Sequence, residues 1–114
     1  FTPADAAFEM ESVKEQVCLI GHSHYPGTFE LSGTMVQYTR QETARGDASS
    51  RYLINVGSVG QPRDGDPRAA WLLFDDDRFA FEHRRVDYDI PAAMQRIRDA
   101  GLPPYLADRL QWGE

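Results

Sequence analysis

Val17-Cys18-Leu19-Ile20-Gly21-His22-Ser23-His24 carries a brief apolar run into a glycine and then sets two imidazoles two positions apart. Four apolar residues in a row have strand length and no polar alternation, which reads as a strand buried on both faces. Gly21 has no side chain where strand becomes loop and permits an unusual backbone angle there. Residues two apart point to one side of an extended chain, so His22 and His24 are expected to approach one point beyond the sheet. Neutral imidazole is a good ligand for zinc, manganese and iron. A metal-binding pair and two partly exposed loop histidines are both compatible with this tetrapeptide.

Ile54-Asn55-Val56-Gly57-Ser58-Val59-Gly60-Gln61-Pro62-Arg63 follows the same plan, an apolar strand entering a glycine-bearing loop, and continues as Asp64-Gly65-Asp66-Pro67-Arg68. Gly57 and Gly60 allow close approach of the backbone to another group, and Arg63 or Arg68 offers a planar fork to an anion. The competing reading pairs these arginines with the neighbouring aspartates. Two such loops matter together because ligands of α/β proteins gather where strand ends and loops converge.

The remaining chain supplies a mixed framework. Thr2-Pro3-Ala4-Asp5 is a helix start with Thr2 as N-cap and Pro3 in the first helical position, leading a helix to about residue 14 or 15. Residues 28–31, 35–39 and 52–56 read as extended segments, and polar residues 41–51 as a surface loop. Residues 69–74 form the most apolar run and are expected as a central strand, returning as a hairpin through Asp75-Asp76-Asp77 into residues 78–86. Trp71, Phe74, Phe79 and Phe81 are expected to share a core, while His83, between Glu82 and Arg84, reads as a surface residue. The aspartate run reads as a solvated turn, since it lacks a calcium-loop pattern. Ile90, Ala93, Met94 and Ile97 have helical spacing, Gly101 suits a stop, and Pro103-Pro104 opens a second short helix with Leu106 and Leu110 inward. Helix, about five strands and two helices make an α/β or α+β pattern in one domain spanning residues 1–114.

A chain of 114 residues with 41% hydrophobic content is of folded-domain type, and its formal charge of −6 argues against a broad nucleic-acid surface. An acidic protein can still handle a phosphate ester when metal ions supply local positive charge. No apolar run reaches membrane-spanning length. The one cysteine, Cys18, excludes an internal disulfide and fits a reducing compartment, so a cytoplasmic location is expected. Cys18 shares parity with the two histidines, yet within an apolar strand it reads as core. The chain begins with Phe1 rather than methionine and is expected to be part of something longer.

Gly21-His22-Ser23-His24-Tyr25-Pro26 resembles the last metal-binding motif of the calcineurin-like metallophosphoesterases. The stretch 54–63 resembles a strand and loop found later in their small bacterial and archaeal members, of diadenosine-tetraphosphatase-like or protein-phosphatase-like type. Residues 69–75 and 87–110 resemble the tail of that subgroup. The likeness covers nearly the whole chain but only the carboxyl-terminal half of the family's domain.

The resemblance implies the carboxyl-terminal half of a four-layer αββα sandwich with mixed, mostly antiparallel strands and a two-metal site at strand ends. His22 would bind one divalent ion and His24 the other, with manganese, iron or zinc as the metal. The family's other ligands lie in Asp-x-His, Gly-Asp-x-x-Asp and Gly-Asn-His motifs and a further upstream histidine, none of which occurs here; Asp64-Gly65-Asp66 matches none of them. Asn55, Ser58, Gln61 and Arg63 are then candidates for contacts behind the ligands or with substrate. The implied activity of the whole protein is hydrolysis of phosphate monoesters, diesters or dinucleoside polyphosphates, with the amino-terminal half as the missing partner. A non-catalytic scaffold on the same fold and a single-zinc module are the alternatives. Homo-oligomers stay open, and the chain alone is expected to aggregate, associate or fold poorly because of an exposed apolar face.

Overall fold

The computed structural model describes residues 2–114. Helix α1 (Pro3–Glu11) starts where the sequence sets it. Thr2 Oγ1 accepts the Asp5 N–H at 3.2 Å while the Asp5 carboxylate accepts the Thr2 N–H at 2.6 Å, a reciprocal capping box. The helix ends at Glu11, short of the expected residue 14. Ala6 and Met10, one turn apart, form its buried stripe.

Two sheets follow. In the first, β1 (Val17–Ile20), β5 (Arg51–Asn55), β2 (Gly27–Ser32) and β3 (Met35–Thr39) lie in that order; β1 and β5 run parallel and the other pairs antiparallel. In the second, β7 (Ala80–Val86) lies between β4 (Thr43–Arg45) and β6 (Ala69–Asp75), antiparallel to both. Strand alternation divides the first sheet between two cores. Leu53, Phe29, Cys18 and Ile20 pack with Ala6 and Met10 beneath α1, and Tyr52, Ile54 and Val17 pack with Phe81 between the sheets. Cys18 is therefore core, as its apolar surroundings in the sequence suggested.

The mixed α+β, two-sheet architecture is the expected one, with four local differences. The stretch 41–51 is not all loop, because Thr43–Arg45 pairs with β7 and tucks Ala44 against Phe81. The apolar strand β6 is an edge, not a centre, of its sheet. Its outward-facing Trp71 and Leu73 stay 38% and 42% exposed, and Phe74 stays 37% exposed although its ring stacks on Phe81. Likewise β1 ends the first sheet, and Leu19 on its inter-sheet face is 49% exposed, so this strand is not buried on both faces. His83 points inward on the same face as Phe81.

Helix α2 (Ile90–Asp99) is capped by Asp89, whose carboxylate accepts the Ala92 N–H at 3.0 Å, and is followed by Gly101 at φ 70°. Helix α3 (Tyr105–Asp108) and a single 3₁₀ turn, Arg109–Gln111, complete the chain. Met94, Ala107 and Leu110 join these elements in a third apolar cluster, with Leu106 half-buried. The carboxyl terminus ties this unit back to the loop after β5: Gly65 N–H donates to Gly113 O at 3.1 Å, and Gln61 Nε2 to Glu114 O at 2.9 Å.

Candidate metal centre

Parallel pairing of β1 with β5 sets Ile20 opposite Asn55, and the Val56 N–H donates to Ile20 O at 3.0 Å. The loops 21–26 and 56–68 therefore leave the sheet side by side, at the carboxyl end of a parallel pair.

The histidine loop is bent, not extended. Ser23 N–H donates to Gly21 O at 2.9 Å, closing a three-residue γ-turn around His22, whose φ is 71°. His24 has φ 64°. The left-handed angles fall on the histidines themselves, while Gly21 has an ordinary φ and open space around its Cα. The expectation that Gly21 takes the unusual angle, and that extended parity aims the two rings, is therefore corrected. Each such angle at a residue with a Cβ costs about 1–3 kcal/mol and persists only where surrounding contacts enforce it.

Those contacts come from the second loop. Asn55, 3% exposed, donates through Nδ2 to Gly21 O at 2.9 Å and to Ser23 Oγ at 2.8 Å, and its Oδ1 accepts the Gly57 N–H at 3.0 Å. One amide thus clamps both loops. His24 Nδ1 lies 2.6 Å from Gln61 O. A carbonyl oxygen only accepts, so Nδ1 carries a proton, and in the neutral ring the lone pair lies on Nε2. That tautomer suits a metal ligand, since ligating histidines usually donate their other N–H to a carbonyl or carboxylate. Gln61 is itself fixed, its N–H donating to Ser58 Oγ at 3.0 Å. The Arg63 N–H reaches His24 O at 3.4 Å.

The six residues selected from the sequence thus separate by role. His22 is exposed beyond the strand end, and His24 is half-buried with one nitrogen committed. Asn55, Ser58 and Gln61 spend their polar groups holding the loops. Arg63 is exposed, touches Gln61 Oε1 at 3.2 Å, and among the described residues pairs with no carboxylate. Arg68, by contrast, grips Asp66 with two nitrogens at 2.7–3.2 Å, the pairing with a neighbouring aspartate that the competing reading expected. That guanidinium holds the Asp66 carboxyl below the usual carboxylate range. Gly57, at φ 85°, fits where an added Cβ would come within 2.7 Å of Ala70 Cβ; Gly60 has open space instead.

Two concavities flank the centre. An apolar cleft of about 250 Å³ runs beside His22, lined by Val13, Cys18, Ile20 and Leu53. A charged one of about 300 Å³ lies on the other side of Asn55, where Asp64, its side chain 2% exposed, joins Arg40 and Arg85. His83 lines this second pocket and sets Nε2 at 2.9 Å from Asn55 O. Burial pushes its pKa below the ordinary imidazole value. The surface reading of His83 is corrected; its parity with Phe81 was the available signal.

Among the described residues, three carboxylate or imidazole donors come within 4.8 Å of one another at Asp75, Asp76 and Asp77. That cluster sits on the hairpin turn, where Asp75 accepts the Arg78 N–H at 3.0 Å. It is a solvated turn, as expected. His22 and His24 therefore bring two imidazoles and no carboxylate, a donor set that fits part of a metal centre.

No protein-family profile matches the chain. It is 40% identical over 94 residues to an uncharacterized protein of Methanocaldococcus jannaschii, a match covering 82% of this chain and 38% of that protein. Over its whole length it resembles the crystal structure of a metallophosphoesterase from Sphaerobacter thermophilus, with TM-score 0.84 and 34% identity, covering 49% of that chain. The chain thus spans less than half the length of either protein and has a metallophosphoesterase-like fold throughout.

Proposed function

We propose that this chain supplies the last two histidine ligands, His22 and His24, of a two-metal phosphoesterase centre completed by polypeptide outside these residues. The observation that carries the reading is the His24–Gln61 contact. It commits Nδ1 to the carbonyl and leaves Nε2 as the ring nitrogen available to a ligand, at the end of a parallel strand pair and on a loop bent into angles that its clamps sustain. The likeness to a metallophosphoesterase supports the same reading.

The divalent cations, manganese, iron or zinc, would supply charge neutralisation at phosphate oxygens and activation of the attacking water. Within this chain, His22 and His24 hold, Asn55, Ser58 and Gln61 orient, and Arg63 offers an exposed guanidinium to an anionic substrate group. The histidine that assists the leaving group belongs to the upstream part. The substrates are phosphate monoesters, diesters or dinucleoside polyphosphates. Among the described residues no helix is long and apolar enough to cross a membrane, and a cytoplasmic site of action is part of the proposal.

Metal analysis of the protein carrying both halves tests this directly. Two equivalents with turnover of a phosphodiester are expected, and His22→Ala and His24→Ala should each lower both metal content and turnover. Arg63→Ala should raise KM. Metal content and kinetics untouched by both histidine substitutions would overturn the proposal, and unchanged kinetics in Arg63→Ala would remove that residue from the substrate site.

A further inference from the structure

The peptide plane joining Asn55 to Val56 is held from both ends. A trans peptide points its C=O and N–H in opposite directions. The Val56 N–H donates to Ile20 O at 3.0 Å within the first sheet. The Asn55 carbonyl turns toward the second sheet and meets His83 Nε2 at 2.9 Å. Since the acceptor is a carbonyl, Nε2 carries the proton. His83 is anchored in turn, its main-chain N–H donating to Glu42 O at 2.7 Å.

Asn55 is also the residue whose side chain holds Gly21, Ser23 and Gly57. The two sets of contacts share one residue, the carbonyl facing the second sheet and the side chain the loops, so a shift of the Asn55 Cα would disturb all of them. One imidazole from the other sheet therefore joins the Ile20 contact in holding the residue from which both loops of the centre hang.

We infer that His83 is a positioning residue of the candidate metal centre, acting through the Asn55 carbonyl on the γ-turn at His22. The assignment rests on the metal-centre reading for its functional meaning, while the mechanical link stands on the contacts alone. The Nε2 of His83 is committed to the Asn55 carbonyl, so its link to the histidine loop runs through Asn55.

The test compares His83→Phe, which keeps a ring and loses the donor, with His83→Gln, whose amide N–H can take the place of Nε2–H. Two quantities are read. Amide exchange at Ser23 and Gly57 and the His24 tautomer by ¹⁵N NMR need no metal; these and manganese affinity are all read in the protein carrying both halves. His83→Phe should speed exchange at both amides and weaken manganese binding about tenfold, the low end for residues behind metal ligands. His83→Gln should restore both. A purely structural role would move the unfolding midpoint in both variants without the selective effect at Ser23 and Gly57. Unchanged exchange in His83→Phe, or failure of His83→Gln to restore it, overturns the assignment. Should the Phe variant not fold, His83→Asn, whose shorter amide stops short of the Asn55 oxygen, replaces it. If Ser23 and Gly57 respond as stated but the wild-type protein binds no manganese, the metal reading fails and the link survives.

Discussion

Replacing Asn55 by alanine removes three side-chain hydrogen bonds at once: two donated to Gly21 O and Ser23 Oγ, and one accepted from the Gly57 N–H. At about 1 kcal/mol net each they sum to about 3 kcal/mol. Gly21 is exposed and Ser23 half-buried, so water can satisfy their oxygens; Gly57 is more confined, with Ala70 and Pro26 against it. The expected loss is therefore about 2–3 kcal/mol, a measurable part of the roughly 5–15 kcal/mol typical of a domain. Urea unfolding at one fixed, low protein concentration reads the total, and amide exchange at Ser23 and Gly57 reads its location. Asn55→Asp sharpens the case. It keeps the acceptor for Gly57 but faces an oxygen to the Gly21 carbonyl, at a position only 3% exposed. Burial raises the pKa of such a carboxyl above its unfolded value, so the folded state binds more protons. That variant should lose stability as pH rises above about 4, where wild type does not. A loss below about 1 kcal/mol for Asn55→Ala, or unaltered exchange at Ser23, would refute the clamp.

Asp64 and Arg40 should behave unequally although they form one ion pair. Asp64→Ala takes the nearer of two carboxylates from Arg85, whose side chain is 16% exposed, leaving it Asp66 at 3.8 Å, and should cost about 1.5–3 kcal/mol. Arg40, 51% exposed, leaves Asp64 still paired with Arg85, so Arg40→Ala should cost under about 1 kcal/mol in the same urea assay. His83 makes stability depend on pH near neutrality. Its folded pKa lies below the unfolded 6.5, so the unfolded chain binds more protons between the two values. The contribution is complete above about 6.5 and fades as pH falls through the folded value, and His83→Gln should flatten that part of the curve. Finally, β1 and β6 end their sheets with Leu19, Phe74 and Leu73 more than a third exposed. Sedimentation of the 114-residue chain should show concentration-dependent association, and a monomer across the accessible range would contradict the expectation.

What could be read without coordinates was whatever neighbours along the chain decide. Thr2, Pro3 and Asp5 define a helix start through groups three residues apart, and the spacing of Ile90, Ala93, Met94 and Ile97 defines α2. The hairpin of β6 and β7 follows from two apolar runs around an aspartate turn. The histidine pair and the glycine loop after β5 were visible as two strand-to-loop transitions of one kind. Their pairing into one site required the parallel register of Ile20 with Asn55, which brings together residues 35 positions apart (55 − 20).

The tertiary structure decided the rest, because partners distant in sequence outweigh local preference. An apolar run signals burial but not rank within a sheet, so β6 read as central and is an edge. Three polar-flanked residues carry no periodicity, so β4 exists only through its pairing with β7. Arg63 and Arg68 look alike in sequence; only the fold turns one onto Asp66 and leaves the other without a carboxylate among the described residues. The left-handed angles at His22 and His24 were not legible in the sequence, since positive φ is uncommon for any residue with a Cβ and histidine is only enriched in it. They are held by Asn55 and Gln61, side chain and backbone, arriving from another strand's end. Residue types named the chemistry, and long-range hydrogen bonds chose which nitrogen is free to perform it.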